Sequence, residues 1–257
     1  MNSLVNKIPF NKPGIVGREL EYILNAVNNM QLSGDGFYTK QCSTLFENEL
    51  GIKKSLLTTS CTHALEMSAI LLNIQPGDEV IVPSFTFVST INAFVLRGAK
   101  PVFIDVHPDT CNLNETKLQE LISKNTKAII VVHYAGVACE MESIIEISSK
   151  YNIPIVEDNA HGLFGKYKGQ YLGTFGTFST QSFHETKNFS CGEGGALFIN
   201  DTNFIERAEI IREKGTDRKK YFRGEVDKYS WVDIGSSYLL SDILAAFLYA
   251  HLEEREK

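Results

Sequence analysis

The feature that most constrains this chain is a rhythm. From residue 55 to residue 158, short β-branched or apolar runs alternate with longer amphipathic ones. "SLLTT" (55–59) is followed by "CTHALEMSAILLNI" (61–74), "VIVP" (80–83) by "FVSTINAFVLRGA" (87–99), and "PVFIDV" (101–106) by "NETKLQELISK" (114–124). "KAIIVVH" (127–133) then precedes "EMESIIEISSKYN" (140–152), and "IPIVED" (153–158) closes the series. Strands that alternate with helices of this length predict βαβ units, and so an α/β fold with a mainly parallel sheet. Right-handed crossovers then sandwich that sheet between helices. The segment 177–199 departs from the rhythm and reads as strand, polar loop, strand. Helical spacing is also present over 17–30 and 37–51, ahead of the alternation, and over 241–257, beyond it.

In sheets of this kind, ligands gather at the carboxyl ends of the strands. Polar or aromatic groups fall at several such ends: Thr58–Thr62, Ser84–Phe87, His133–Tyr134 and Asp158–His161. Lys187 lies in the loop of the strand-loop-strand segment, within "SFHETKNFSCGEGG" (182–195). Each group also has a plain reading. Ser and Thr before a helix are ordinary caps, although the same helix start offers free N–H groups to a phosphate. Asp158 reads as a common strand-end carboxylate, His161 as a structural donor, and Phe85 and Phe87 as core aromatics. Taken together, they suit one ligand. Pyridoxal 5′-phosphate (PLP) needs an amine for its aldehyde, a carboxylate for its ring nitrogen, an aromatic face and a phosphate cradle.

Other chemistries find less support. The 25 basic and 31 acidic residues leave a net charge of −6, which argues against a broad nucleic-acid footprint. No apolar run reaches membrane-spanning length, and "MNSLVNKIPFNKPG" lacks the basic-then-apolar build of a signal peptide. A cytoplasmic protein without a membrane partner is expected. The five cysteines are scattered with no CxxC pair, so reduced thiols and no metal site are expected. A mononucleotide or dinucleotide binder would carry a Walker A lysine or a GxGxxG after its first strand, and neither is present.

The stretches "TSCTHALEM", "DEVIVPSFTFVSTINAFVLRGAKPVFIDV", "VVHYAGVACEM", "VEDNAHG" and "SFHETKNFSCGEGG" resemble the sugar aminotransferases of the DegT/StrS type, and the resemblance covers essentially the whole chain. It implies the large domain of a fold type I PLP-dependent transferase, working as a homodimer with shared active sites. The implied reaction aminates a nucleotide-linked 4-keto-6-deoxy sugar, dTDP-4-dehydro-6-deoxy-D-glucose, with L-glutamate as donor. The product would serve a surface polysaccharide such as enterobacterial common antigen.

Carried over residue by residue, the resemblance makes Lys187 the Schiff-base lysine and Asp158 the partner of the pyridine nitrogen. The family's sugar dehydratases carry His in place of that lysine. His161 falls near the ring's phenolic oxygen, and Phe87 at the ring-stacking aromatic. Thr62 and His63 match the turn whose backbone holds the phosphate, and Ser182 adds a hydroxyl to it. Gly192, Gly194 and Gly195 are expected to let the backbone turn tightly beside the lysine. Many relatives place Asn where Leu239 stands, reaching the neighbouring subunit's phosphate, so Ser236 or Ser237 would substitute. The tract 207–225 offers Arg212, Lys214, Arg218 or Arg223 to a nucleotide diphosphate. Its plain reading is a solvated helix and loop.

The resemblance further implies about a hundred more residues forming a small C-terminal domain. The chain then divides into an N-terminal arm and helix (1–34), a PLP-binding large domain (35–238), and the start of a helix leading to the absent small domain (239–257). That last helix is expected to lack part of its packing surface. A second reading is a truncated PLP-binding remnant or dimerisation module without turnover.

Overall fold

The β-branched and apolar runs form one seven-stranded sheet in the computed structural model, which describes residues 8, 9 and 11–256. The chain begins with helices α1 (Glu19–Asn28) and α2 (Phe37–Leu50), then alternates β1 (Lys54–Thr58), α3 (Cys61–Leu71), β2 (Glu79–Pro83), α4 (Ser89–Val95), β3 (Lys100–Ile104), α5 (Leu118–Leu121), β4 (Thr126–Val132), α6 (Met141–Tyr151) and β5 (Ile155–Asp158). A small hairpin of β6 (Lys166–Tyr167) and β7 (Gln170–Tyr171) follows, then β8 (Phe178–Ser182) and β9 (Gly195–Ile199). Helices α7 (Ile205–Arg212), α8 (Arg218–Phe222) and α9 (Asp242–Glu253) complete the order.

The strand order is β1-β9-β8-β5-β4-β2-β3. Every strand of this sheet runs parallel to the rest except β9, which is antiparallel to both neighbours, β1 and β8. The predicted mainly parallel α/β architecture is therefore observed. Successive strand residues point to opposite faces, and each face has its own apolar core. Ile130, Val156 and Leu197 pack with α3, α4 and α7 on one side. Ile129, Val131 and Ile155 pack with α5 and α6 on the other. That second side is continued by α1, α2 and α9 against Leu57, Ala196 and Phe198. Burial from both sides explains why the strands read as continuous apolar runs.

Three local readings need correction. The helix expected over 114–124 is a short 3₁₀ turn at Glu115–Lys117 and the single turn of α5. It stops because the Ser123 N–H donates to the Thr126 hydroxyl at 2.9 Å and the Thr126 N–H to the Ser123 carbonyl at 3.1 Å, an alternative to helical pairing. The β6–β7 hairpin was not anticipated; Lys168 and Gly169 both adopt positive φ, +48° and +88°, as a two-residue turn requires.

The third correction concerns α9. It is not short of packing surface, for none of its residues is fully exposed. Its Asp242 carboxylate caps α2, accepting from the N–H groups of Tyr38 (3.2 Å) and Thr39 (2.8 Å) and from the Thr39 hydroxyl (2.7 Å). The exposed apolar stripe lies instead on α1, where Leu20 is 79% and Leu24 59% exposed.

Candidate active site

The carboxyl ends of β1, β2, β4, β5 and β8 meet the start of β9 at one edge, around a cavity of about 570 Å³. Thr62, Phe87, Asp158, His161, Ser182 and Lys187 all line it. His63 does not. Ser60, Cys61, Phe85, Thr86, Ser89 and Tyr134 also line it.

One end of the cavity is the N-terminus of α3. Ser60 caps it, its hydroxyl accepting from the His63 N–H at 3.1 Å while its carbonyl accepts from Ala64 at 3.2 Å. The N–H groups of Cys61 and Thr62, in the first turn, have no acceptor within the helix, and both residues border the cavity. Thr62 donates its hydroxyl to Ser89 at 2.9 Å. His63 departs from expectation because its N–H is already occupied by Ser60. Its ring turns away, pairing with the Thr59 hydroxyl and lying 5.1 Å from the Tyr238 ring. It props the turn from behind.

The glycines also have more distinct jobs than expected. Gly192, at φ +86°, needs left-handed backbone, whereas Gly194 and Gly195 do not. Gly195 permits close approach: a Cβ there would lie 2.3 Å from the Ser60 carbonyl carbon and 2.4 Å from the Cys61 nitrogen. Gly195→Ala must therefore push β9 and the α3 N-terminus apart. We expect a loss of about 2 kcal/mol of stability in denaturant unfolding. A loss under about 0.5 kcal/mol would mean the turn yields freely and does not need glycine.

At the end of β5, Asp158 is buried with its carboxylate toward the cavity. Oδ2 accepts from the Thr90 hydroxyl at 2.7 Å and Oδ1 from the Ala160 N–H at 3.3 Å. Burial pushes its pKa up, opposed by these donors and by His161 and Lys187. Lys187 is half-buried, and its ammonium has no hydrogen-bond or ion-pair partner among the described residues. Burial lowers its pKa, while nearby Cys61 and Asp158 act the other way.

His161 is shifted down by burial and then by Lys187, against Asp158. Its Nδ1 accepts from the Ala135 N–H at 3.1 Å, so the neutral ring carries its proton on Nε2. Phe85 and Phe87 are not core residues, being 46% and 74% exposed at the cavity mouth. Phe85 packs on Tyr134 with ring centroids 4.9 Å apart, and Tyr134 meets the His161 ring edge-on at 5.6 Å.

Residues 13–257 match the family model of the DegT/DnrJ/EryC1/StrS aminotransferases. This chain belongs to that family. GDP-perosamine synthase of Escherichia coli O157:H7 is 34% identical over 250 residues, which is 97% of this chain and 66% of that protein. PseC of Helicobacter pylori, an aminotransferase involved in the biosynthesis of pseudoaminic acid, superposes with a TM-score of 0.88 at 28% identity, over 97% of this chain and 66% of its own. Spr1654 of Streptococcus pneumoniae in its PLP form gives 0.86 at 28% identity, over 96% and 66%. The chain thus spans just under two thirds of the length of these relatives.

Two other groups in this DegT-family chain are structural. Adjacent strand residues face opposite ways, so Glu157 points away from the cavity that Asp158 enters. Glu157 is fully buried and accepts from the N–H groups of Gly173 (2.7 Å), Phe175 (2.8 Å) and Gly176 (2.6 Å). Its fourth partner is His133 Nε2 at 2.9 Å. His133 Nδ1 accepts from the Cys139 N–H, so Nε2 is the donor to Glu157. Of the strand-end pair His133–Tyr134, only Tyr134 reaches the cavity.

The charged tract lies around a separate cavity of about 820 Å³. Arg212 does not reach it; it is buried, donating to the Leu57 carbonyl at 3.1 Å and to Asp35 at 2.6 Å. Lys214 and Arg218 pair with Glu213, and Arg223 with Glu209 and Glu225. These pairings serve the plain reading of the tract. Leu239 borders this second cavity, and Ser236 and Ser237 are exposed beside it.

Proposed function

We propose that this chain binds PLP in the cavity at the sheet edge and transfers an amino group from L-glutamate to a nucleotide-linked 4-keto-6-deoxy sugar. One observation carries the reading: a half-buried lysine amine, unpaired among the described residues, shares a cavity with a buried carboxylate and a helix N-terminus whose first N–H groups have no acceptor within the helix. The residues fit the cofactor. The N–H groups of Cys61 and Thr62, with the hydroxyls of Ser60, Thr62 and Ser182, suit a phosphate. Asp158 keeps acceptor capacity beyond its two donors, which suits a protonated ring nitrogen. The Nε2–H of His161 suits a phenolic oxygen, and the exposed Phe87 ring a planar heterocycle.

When bound, PLP supplies an aldehyde for amine exchange and a ring that takes up electrons from the carbon losing its proton. Lys187 acts at Nζ, where the lowered pKa leaves more unprotonated amine near pH 7. It takes the proton from the donor's α-carbon as base and returns one as acid. Asp158, ionised, keeps a proton on the ring nitrogen by its charge. Phe87 covers one face of the site against water.

The finer reading is that the acceptor is dTDP-4-dehydro-6-deoxy-D-glucose and the product dTDP-4-amino-4,6-dideoxy-D-galactose, for surface polysaccharide such as enterobacterial common antigen. It rests on the resemblance of "GDGFYTKQC", "FHETKNF" and "IREKGTDR" and on similarity to a nucleotide-sugar enzyme, GDP-perosamine synthase. The protein acts in the cytoplasm as a homodimer, with Ser236 or Ser237 reaching the partner's phosphate site; no helix among the described residues is long and apolar enough to cross a membrane. Residues 35–238 form the cofactor-binding unit, flanked by 1–34 and 239–257.

Visible absorbance with added PLP, before and after L-glutamate, tests this. A band that glutamate bleaches, and that the keto sugar then restores, is the expected result. The second reading is a cofactor-binding module without turnover. A band that glutamate leaves unchanged would select it.

A further inference from the structure

Thr90, in the first turn of α4, is fully buried, and Val would fill its place with nearly the same shape. Its hydroxyl is what distinguishes it, and a buried hydroxyl needs partners. One partner is Asp158 Oδ2 at 2.7 Å; the other is the Thr86 hydroxyl, also at 2.7 Å, on the cavity wall. The direction of this chain follows by elimination. An ionised carboxylate only accepts, so Thr90 donates its single hydrogen to Asp158. Thr90 can then only accept from Thr86. Were Asp158 protonated, the order could reverse.

We propose that Thr86 and Thr90 are positioning residues that form a two-hydroxyl relay, holding the Asp158 carboxylate ionised and aimed at the ring nitrogen of the cofactor. The purpose assigned to the relay rests on the PLP reading above. Burial works against the ionised form, and the charges that face Asp158 are few: Lys187 from the loop, His161 from the same segment, and the Cys61 thiol from α3. Thr90 is the leading influence on Asp158 against burial. Donation from Thr86 polarises the Thr90 hydroxyl and strengthens its bond to the carboxylate. The remaining lone pairs of Asp158 stay available to the ligand. Without the relay, the buried carboxyl would compete with the ring nitrogen for the same proton.

The relay can be read in the protein itself, without cofactor. Aspartate ¹³Cγ labelling, with Asp158→Asn to assign the resonance, follows the Asp158 carboxyl through a pH titration. Thr90→Val is expected to raise the midpoint by about one pH unit, and Thr90→Ser to stay within about 0.3 unit of the parent. Thr86→Val should raise it by a smaller amount, about 0.3–0.5 unit. A Thr90→Val midpoint within about 0.2 unit of the parent, or a Thr90→Ser shift as large as that of Thr90→Val, would overturn the relay. If Thr90→Val does not fold, Thr86→Val decides, and no shift there overturns it. The parent protein titrated with PLP separates the two ideas. Carboxyl shifts as expected, but with no visible band, would sink the cofactor reading and leave the relay standing.

Discussion

Lys187→Ala is expected to remove the lysine-dependent visible band on mixing with PLP and to cut glutamate-driven amine transfer by roughly 10³-fold or more. The reason is positional. Lys187 is the lysine that borders the cavity, its amine is without a hydrogen-bond or ion-pair partner among the described residues, and burial already favours its unprotonated form. Of the other cavity-lining side chains that ionise, His161 and Asp158 are held by Ala135 and Thr90, and His184 and Glu193 pair with each other. Added methylamine should restore part of the transfer, since it supplies the lost base as a free molecule. Retention of more than about a tenth of the parent activity would remove Lys187 from the proton-moving role.

The second large effect concerns the back of the same strand. Glu157→Ala is expected to cost about 4 kcal/mol of unfolding free energy, seen as a lowered denaturant midpoint at unchanged slope. The substitution strands the His133 Nε2–H and the N–H groups of Gly173, Phe175 and Gly176 in a site closed to water. Each buried donor left alone costs about 1–3 kcal/mol, and relaxation keeps the sum below the simple total. Glu157→Gln should fall between, because its amide oxygen still accepts while its NH₂ faces donors. A loss below about 1 kcal/mol for Glu157→Ala would show that the four donors find other acceptors.

The frame and most of the site were legible in the sequence because both rest on local signals. The period of the apolar runs marked the strands, and strand-end placement brought Thr62 and Asp158 to one edge though they lie far apart in the chain, whereas Ser182 entered only through the family resemblance. What escaped was information carried by partners. Arg212 reads as a free cation until Asp35 is seen beside it. His63 reads as part of the phosphate turn until Ser60 and Thr59 are found to occupy it. Nothing near Thr90 in sequence points to Asp158, since the hydrogen bond joins separate βαβ units. Phe85 and Phe87 were ambiguous for a simpler reason: an aromatic residue after a strand has the same composition whether it faces the core or a cavity. Exposure alone separates the two cases.

The reversed strand β9 also governs how the molecule must come together during synthesis. Strands β2 through β5 find parallel neighbours within the stretch just translated, but among the described residues β1 has β9 as its one neighbouring strand, with Lys54 waiting for Ile199. Until β9 leaves the ribosome, β1 lacks its strand partner, β8 is paired on its β5 side alone, and the α3 N-terminus lacks the close backbone approach of Gly195. Long-range pairings of this kind form late and slowly. The ligand-binding edge is therefore the last part of the sheet to be assembled, and a nascent chain released before residue 199 would hold most of the sheet without it.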